Sequence, residues 1–171
     1  MKIIWIDGTF GSGKTAVANA INKRINNAYL LEFDALQKEY KPNSITDSFG
    51  KRYPEAKRYL IDALRSEILA LIRDGVYDYI IVPIALINDY CNQRLVNAFI
   101  GVESYHFILI ISRNILYQRI ENQENRDEDL AKTYMPMAMQ YLESHYTDAV
   151  RIDTSDMSVD SVAEKIIEII E

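Results

Sequence analysis

Ile3-Ile4-Trp5-Ile6-Asp7-Gly8-Thr9-Phe10-Gly11-Ser12-Gly13-Lys14-Thr15 runs from four apolar residues into the spacing Gly-x-x-x-x-Gly-Lys-Thr. The pattern predicts a strand, a glycine loop and then a helix that carries Val17, Ala20 and Ile21. Such a loop binds phosphate for physical reasons. Gly11 and Gly13 allow tight turning and bring backbone N–H groups close to phosphate oxygens, and the new helix adds positive partial charge at its start. Lys14 is spaced to reach the β- and γ-phosphates, and the Thr15 hydroxyl to join a Mg²⁺ shell. Gly8, Phe10, Gly11, Ser12, Gly13, Lys14 and Thr15 are therefore the expected nucleotide-binding residues, with ATP and Mg²⁺ as cofactors. A chance glycine-rich turn would not require the full motif between a strand and a helix.

Outward from this stretch, further apolar runs follow at Tyr29–Phe33, Tyr79–Ile84 and Tyr105–Ile111, with a weaker one at Ala149–Ile152. Their near-continuous apolarity suits strands covered on both faces of a parallel sheet. Helical patterns lie between them. Leu60, Leu64, Ile68 and Leu71 make one apolar stripe, with Pro54 and Glu55 in the first turn, and Val162, Ile166 and Ile169 make another. Strands alternating with helices predict an α/β fold with a parallel sheet. Residues 1–171 read as one domain without repeats. A flap is expected at about 41–60, where Lys41–Tyr53 contains Pro42, Asn43, Ser44 and Gly50. A lid is expected at about 121–133, because eight of the twelve residues in Glu121–Lys132 are Glu, Asp, Arg, Lys or Gln.

Composition narrows the partners. A net charge of -6 argues against a nucleic-acid binder, whose affinity comes from clustered Lys and Arg. The one cysteine, Cys91, excludes an intrachain disulfide framework and reads as a small buried hydrophobe. No run approaches the roughly 20 apolar residues that span a bilayer. A cytoplasmic protein without membrane insertion, a monomer or a homodimer, is expected.

Two classes of nucleotide hydrolase fit poorly. A regulatory GTPase needs DxxG after a strand, but Asp47-Ser48-Phe49-Gly50 sits in an irregular segment, and Asn22-Lys23-Arg24-Ile25 lacks the guanine-reading aspartate. A motor-type ATPase needs an apolar strand ending in an acid. Tyr79–Val82 runs instead into Pro83-Ile84-Ala85-Leu86, with no acid until Asp89. A small-molecule kinase needs a base near the end of the second strand and arginines on a closing lid. Asp34 follows Tyr29–Phe33 at the expected carboxyl edge of the sheet, as base, as Mg²⁺-positioning group or as the N-cap of the segment at Ala35-Leu36. Arg119 and Arg126 are seven apart, two turns of a continuing helix, and would clamp the transferring phosphoryl. Arg113 is a weaker candidate. Arg52, Tyr53 and Arg58 would stand near an acceptor or serve the surface. Tyr134, Met135, Met137, Met139 and Tyr141 read as core or as pocket lining, and His106 as structural.

The opening stretch resembles the start of the tunicamycin-resistance ATP-binding protein family. Ile81-Val82-Pro83, His106-Phe107 and Asp153-Thr154-Ser155-Asp156-Met157-Ser158-Val159 extend the resemblance over nearly the whole chain. The wider group is similar to nucleoside-monophosphate, shikimate and gluconate kinases and to chloramphenicol phosphotransferase. The resemblance implies a three-layer fold with a five-stranded parallel sheet in the order 2-3-1-4-5, helices on both faces and a lid. It implies phosphates at Gly11–Thr15, an acceptor-facing carboxylate at Asp34, a lid arginine near adenine at Arg119 and phosphoryl contact at Arg126. It also implies an adenine-side loop that includes Thr154 and Ser155. The expected function is Mg-ATP-dependent phosphoryl transfer to a small hydroxyl compound, such as a nucleoside-type molecule or antibiotic. The alternative is a protein that binds and sequesters tunicamycin with little turnover.

Overall fold

The computed structural model describes residues 1–33, 35–36, 58–121 and 128–171, with backbone only for 128–132. β1 (Lys2–Gly8) lies at the centre of a sheet, and its composition explains the position. Ile3, Ile4, Trp5 and Ile6 are all fully buried, as a strand covered on both faces requires. β2 (Ala28–Leu30), β3 (Tyr79–Pro83), β4 (Glu103–Ile110) and β5 (Val150–Asp153) complete a five-stranded sheet in the order β2-β3-β1-β4-β5. Every pairing is parallel, with Ile6 opposite Pro83 on one side and Phe107 on the other. The expected order and class are both met.

Alternate residues of β1 serve opposite layers, as the two-residue period of a strand dictates. Ile3 and Trp5 pack with Leu60, Ile61, Leu64 and Ile68 of α2 (Arg58–Asp74). Ile4 and Ile6 pack with Val17, Ala18 and Ile21 of α1 (Lys14–Asn22) and with Val162, Ala163 and Ile166 of the C-terminal helix, Val159–Ile170. Each fully buried Leu or Ile contributes roughly 1.5–3 kcal/mol. α3 (Arg113–Glu121) and α4 (Glu128–Ser144) follow β4, and the C-terminal helix, α5, is capped by the Ser158 hydroxyl accepting from Ser161 N–H.

Several details depart from the expected pattern. β2 stops at Leu30, although Leu31 N–H still donates to Ile81 O at 2.9 Å, and Phe33 has already left the sheet. The buried face of α5 ends on Ile170, while Ile169 is 39% exposed, because 162, 166 and 170 keep a four-residue step. The expected lid is helical from Glu128 onward, and α2 is described from Arg58, so Pro54 and Glu55 lie outside the described residues. Among the described residues, no helix is long and apolar enough to cross a membrane.

Candidate active site

β1 delivers the glycine loop to the carboxyl edge of the sheet, between β3 on one side and β4 on the other. Connections diverge at that point, and parallel α/β sheets bind ligands there. The glycines hold the loop in shapes closed to other residues. Gly8 has φ +148°, and a β-carbon on it would lie 2.6 Å from Ser12 Oγ and 2.9 Å from Leu109 O. Gly11 has φ +78°, and a β-carbon there would press on Leu116 and Ile120 of α3 at 3.0 and 3.3 Å.

The loop suits a polyphosphate. Ser12 is buried, and its Oγ has no hydrogen-bond partner among the described residues. Lys14 Nζ donates to Gly8 O at 3.0 Å and Thr9 O at 2.8 Å, so the ammonium is folded over the loop where phosphate oxygens would sit. Gly13 N-caps α1 in the left-handed conformation with no side-chain cap, and this leaves the helix start to an anion. Thr15 is exposed on the first turn of α1, and Mg²⁺ held largely by phosphates and water asks little more of the protein. Among the described residues, no cluster of three or more His, Cys, Asp or Glu side chains could hold a metal.

A cleft of about 780 Å³ opens from this loop. Its nucleotide end is lined by Phe10, Gly11, Gly13, Lys14 and Thr15 with Ile115, Gln118 and Arg119 of α3. Away from the loop it is lined by Phe33, Arg58, Ile61, Tyr90, Tyr134 and Met137 and, from the segment that leaves β3, by Pro83, Ile84, Ala85, Ile87 and Asn88. The methionine and aromatic stripe of α4 therefore divides. Met135 is buried with Leu116 and Ile120, whereas Tyr134 and Met137 face the cleft.

Tyr90 stands in the cleft wall because two charged residues hold it from behind. Its hydroxyl donates to Asp62 Oδ2 at 2.6 Å, and Arg94 Nη2 pairs with Asp62 Oδ1 at 2.6 Å. The Tyr90 hydrogen bond and the Arg94 charge keep the Asp62 carboxyl below its ordinary pKa. The Arg58 guanidinium lies 5.1 Å from the centre of the Tyr90 ring. Asn88 accepts from Cys91 N–H and starts the short helical turn Asp89–Cys91, which continues as a π-helix over Asn92–Val96. π-helical insertions often mark functional positions, and this one carries Arg94 to Asp62.

Of the residues singled out in the sequence, Phe10, Gly11, Gly13, Lys14, Thr15 and Arg119 converge on the cleft, and Gly8 and Ser12 shape the loop beneath it. Arg58, for which both an acceptor contact and a surface role were open, lines the cleft. Arg113 is exposed at the start of α3 and is not among the lining residues. Thr154 is buried, and its hydroxyl and N–H both donate to Ile110 O. Ser155 Oγ accepts from Ser112 N–H, tying the loop after β5 to the start of α3. Asp34, Arg52, Tyr53 and Arg126 lie outside the described residues. Sequence reasoning passed over Tyr90, Asn88 and Gln118, which no motif marks.

A model of the family described as chloramphenicol phosphotransferase-like protein matches residues 1–171. The chain belongs to that family. No curated protein sequence matches it significantly. Among solved structures, the tunicamycin resistance protein of Deinococcus radiodurans is similar at 23% identity and a TM-score of 0.66, over 99% of this chain and 95% of that one. A sugar kinase from Janibacter is similar at 16% identity and a TM-score of 0.71, over 98% and 93% of the two chains. Shikimate kinase from Acinetobacter baumannii follows at 17% identity and a TM-score of 0.65, over 98% and 92%. At these identities the likeness establishes the fold, that of P-loop small-molecule kinases. Family membership adds support for phosphoryl transfer as the reaction class.

Proposed function

We propose that this protein transfers the γ-phosphoryl of Mg-ATP to a hydroxyl group on a small molecule. The observation that carries the reading is one continuous cleft whose lining runs from a complete phosphate loop to the mostly apolar and aromatic side chains Phe33, Ile61, Ile84, Tyr90 and Met137. A hydrolase needs only the first part. A transferase needs both, with the acceptor hydroxyl in line with the phosphate and water kept away.

Each group has a task in this reading. ATP supplies the phosphoryl group, and Mg²⁺ offsets phosphate charge. The loop N–H groups and Lys14 align the phosphates, Thr15 contributes its hydroxyl to the metal shell, and Asp34 takes the acceptor proton. Arg119 and Arg126 offset charge that develops on the transferring group. Phe33, Ile84, Tyr90 and Met137 favour an acceptor with an apolar or ring-bearing body, as nucleoside-type compounds and many antibiotics have. Thr154 and Ser155 shape the adenine side through their backbone positions.

One observation favours a second reading. β3 ends in Pro83, and the cleft lining contains no carboxylate among the described residues; the base assigned in the transfer reading is Asp34. Without a working base the same cleft would hold ATP and an antibiotic with little turnover. Asp34→Ala separates the two readings in an assay of ADP formation with nucleosides, sugar-type acids, chloramphenicol and tunicamycin as acceptors. Transfer predicts stimulation by one acceptor class and a loss of about 10²–10⁴-fold in the variant, with ATP binding retained. No stimulation, together with tight binding of ATP and an antibiotic, would replace transfer by sequestration.

A further inference from the structure

The penultimate residue of β1 is a carboxylate that phosphoryl transfer, as set out above, does not use. Asp7 is fully buried, directly before the first glycine of the loop. Its Oδ1 accepts from the N–H of Gly8 at 2.6 Å and from the N–H of Leu86 at 3.1 Å. Its Oδ2 lies 3.0 Å from His106 Nε2 on β4. An ionised carboxylate only accepts, so in a pairing with ionised Asp7 the donor is His106 Nε2–H. The His106 side chain is 10% exposed, and its ring meets that of Tyr146 edge-on, with centres 4.6 Å apart. The Tyr146 hydroxyl donates to Leu86 O at 2.9 Å. Both backbone polar groups of Leu86 are thus held, the N–H by Asp7 and the carbonyl by Tyr146.

Leu86 sits in the segment leaving β3, whose neighbours Ala85 and Ile87 line the acceptor chamber. Gly8 opens the phosphate loop, and its N–H shares the same Asp7 oxygen. One buried oxygen therefore ties the start of the phosphate loop to the segment that carries Ala85 and Ile87. A buried carboxylate is costly, and Ile4 and Ile6 show that apolar side chains fill neighbouring positions of this strand. We infer that Asp7 is a positioning residue, whose carboxylate clamps the first residue of the phosphate loop to the acceptor-side wall and is anchored by His106. The clamp sets the distance over which the phosphoryl group travels, and it holds the loop in its binding shape before nucleotide arrives. This inference rests on the reading of the cleft as a nucleotide and acceptor site.

The test measures affinity for the ATP analogue AMPPNP with Mg²⁺ by calorimetry, and melting temperature, on the full chain without acceptor. Asp7→Asn keeps the oxygen that accepts from Gly8 and Leu86, and its amide can donate to the other tautomer of His106. Asp7→Leu keeps the volume and removes the acceptors. Ile166→Ala, buried on α5 away from the clamp, serves as a destabilised control. Asp7→Asn should bind within about threefold of wild type, and Asp7→Leu at least about tenfold more weakly, the loss expected for one or more buried hydrogen bonds. Ile166→Ala should lose melting temperature and keep its affinity. Should Asp7→Leu fail to fold, the pair His106→Gln and His106→Leu carries the test, with affinity kept when an N–H donor remains and lost when it does not. Undiminished affinity in Asp7→Leu or His106→Leu, or an equal affinity loss in Ile166→Ala, would overturn the inference alone. A wild-type chain that fails to bind the analogue would overturn the functional reading together with it.

Discussion

Arg119 Nη1 lies 4.0 Å from the point that a β-carbon on Gly13 would occupy. The guanidinium is thus already beside the loop glycine that starts α1, carried there by α3, whose Leu116 and Ile120 pack beneath Gly11. In the proposed transfer, an arginine held this close would reach the phosphates without a large excursion. Arg119→Ala is expected to lower kcat by about 10²-fold, with a smaller effect on nucleotide affinity. Arg119→Lys should recover only part of the rate, because an ammonium lacks the planar fork. Steady-state kinetics decides, and an unchanged kcat in Arg119→Ala would remove the arginine from the mechanism.

The two loop glycines should differ in tolerance. A β-carbon on Gly11 meets the side-chain end of Leu116, whereas one on Gly8 meets the backbone carbonyl of Leu109, fixed by pairing between β1 and β4. Gly11→Ala is expected to cost about 1–2 kcal/mol, chiefly from its φ of +78°, and Gly8→Ala about 3 kcal/mol or more. Denaturant titration measures both, and equal losses would contradict this ordering.

The phosphate loop and the layer plan were open to sequence reasoning because both are local. Glycine spacing and apolar runs lie within a few neighbouring residues. Asp7 and His106 are 99 positions apart, and only the register of β1 against β4, with Trp5 opposite His106, brings them together. Tyr90, Asp62 and Arg94 meet for a similar reason, since the π-helical turn that aims Arg94 has no composition signal. The stripe on α4 was legible as apolar but not as divided, because a helix face does not state which neighbour covers each residue. Ile169 shows the same limit by one residue: a step of three or of four from Ile166 is open until the neighbouring helix is known.

Tyr90 offers its ring to the cleft because its hydroxyl is already taken by Asp62. Tyr90→Phe is therefore expected to cost about 1 kcal/mol of stability while leaving acceptor KM nearly unchanged. Tyr90→Ala should raise that KM. The folded-state pKa of Asp62 is depressed, so its contribution is present above the ordinary carboxylate range and is lost as pH falls through the folded value. In Tyr90→Phe this acid-side loss should shrink. Unfolding followed at mildly and strongly acidic pH would reveal it, and an identical acid limb in both proteins would contradict the assignment.

Tyr141 is one of the half-buried tyrosines that contribute on the alkaline side. Burial first, and then its hydrogen bond to Asp89, push its hydroxyl up to about 12 from the ordinary 10.0. A raised folded-state pKa gives stability that is full below pH 10.0 and is lost as pH climbs towards about 12. Tyr141→Phe should flatten the stability profile across that window, and tyrosinate absorbance should show one fewer late-titrating group. A variant as alkali-sensitive as wild type would count against this role.

The most direct test of phosphoryl transfer in one cleft follows the mass of the acceptor. The protein is incubated with Mg-ATP and the compound that best stimulates ADP formation, and both products are quantified by mass spectrometry. Transfer predicts an acceptor heavier by one phosphoryl group, formed mole for mole with ADP and absent with Lys14→Ala. ADP appearing without a phosphorylated acceptor, or an acceptor bound but unmodified after prolonged incubation, would contradict it.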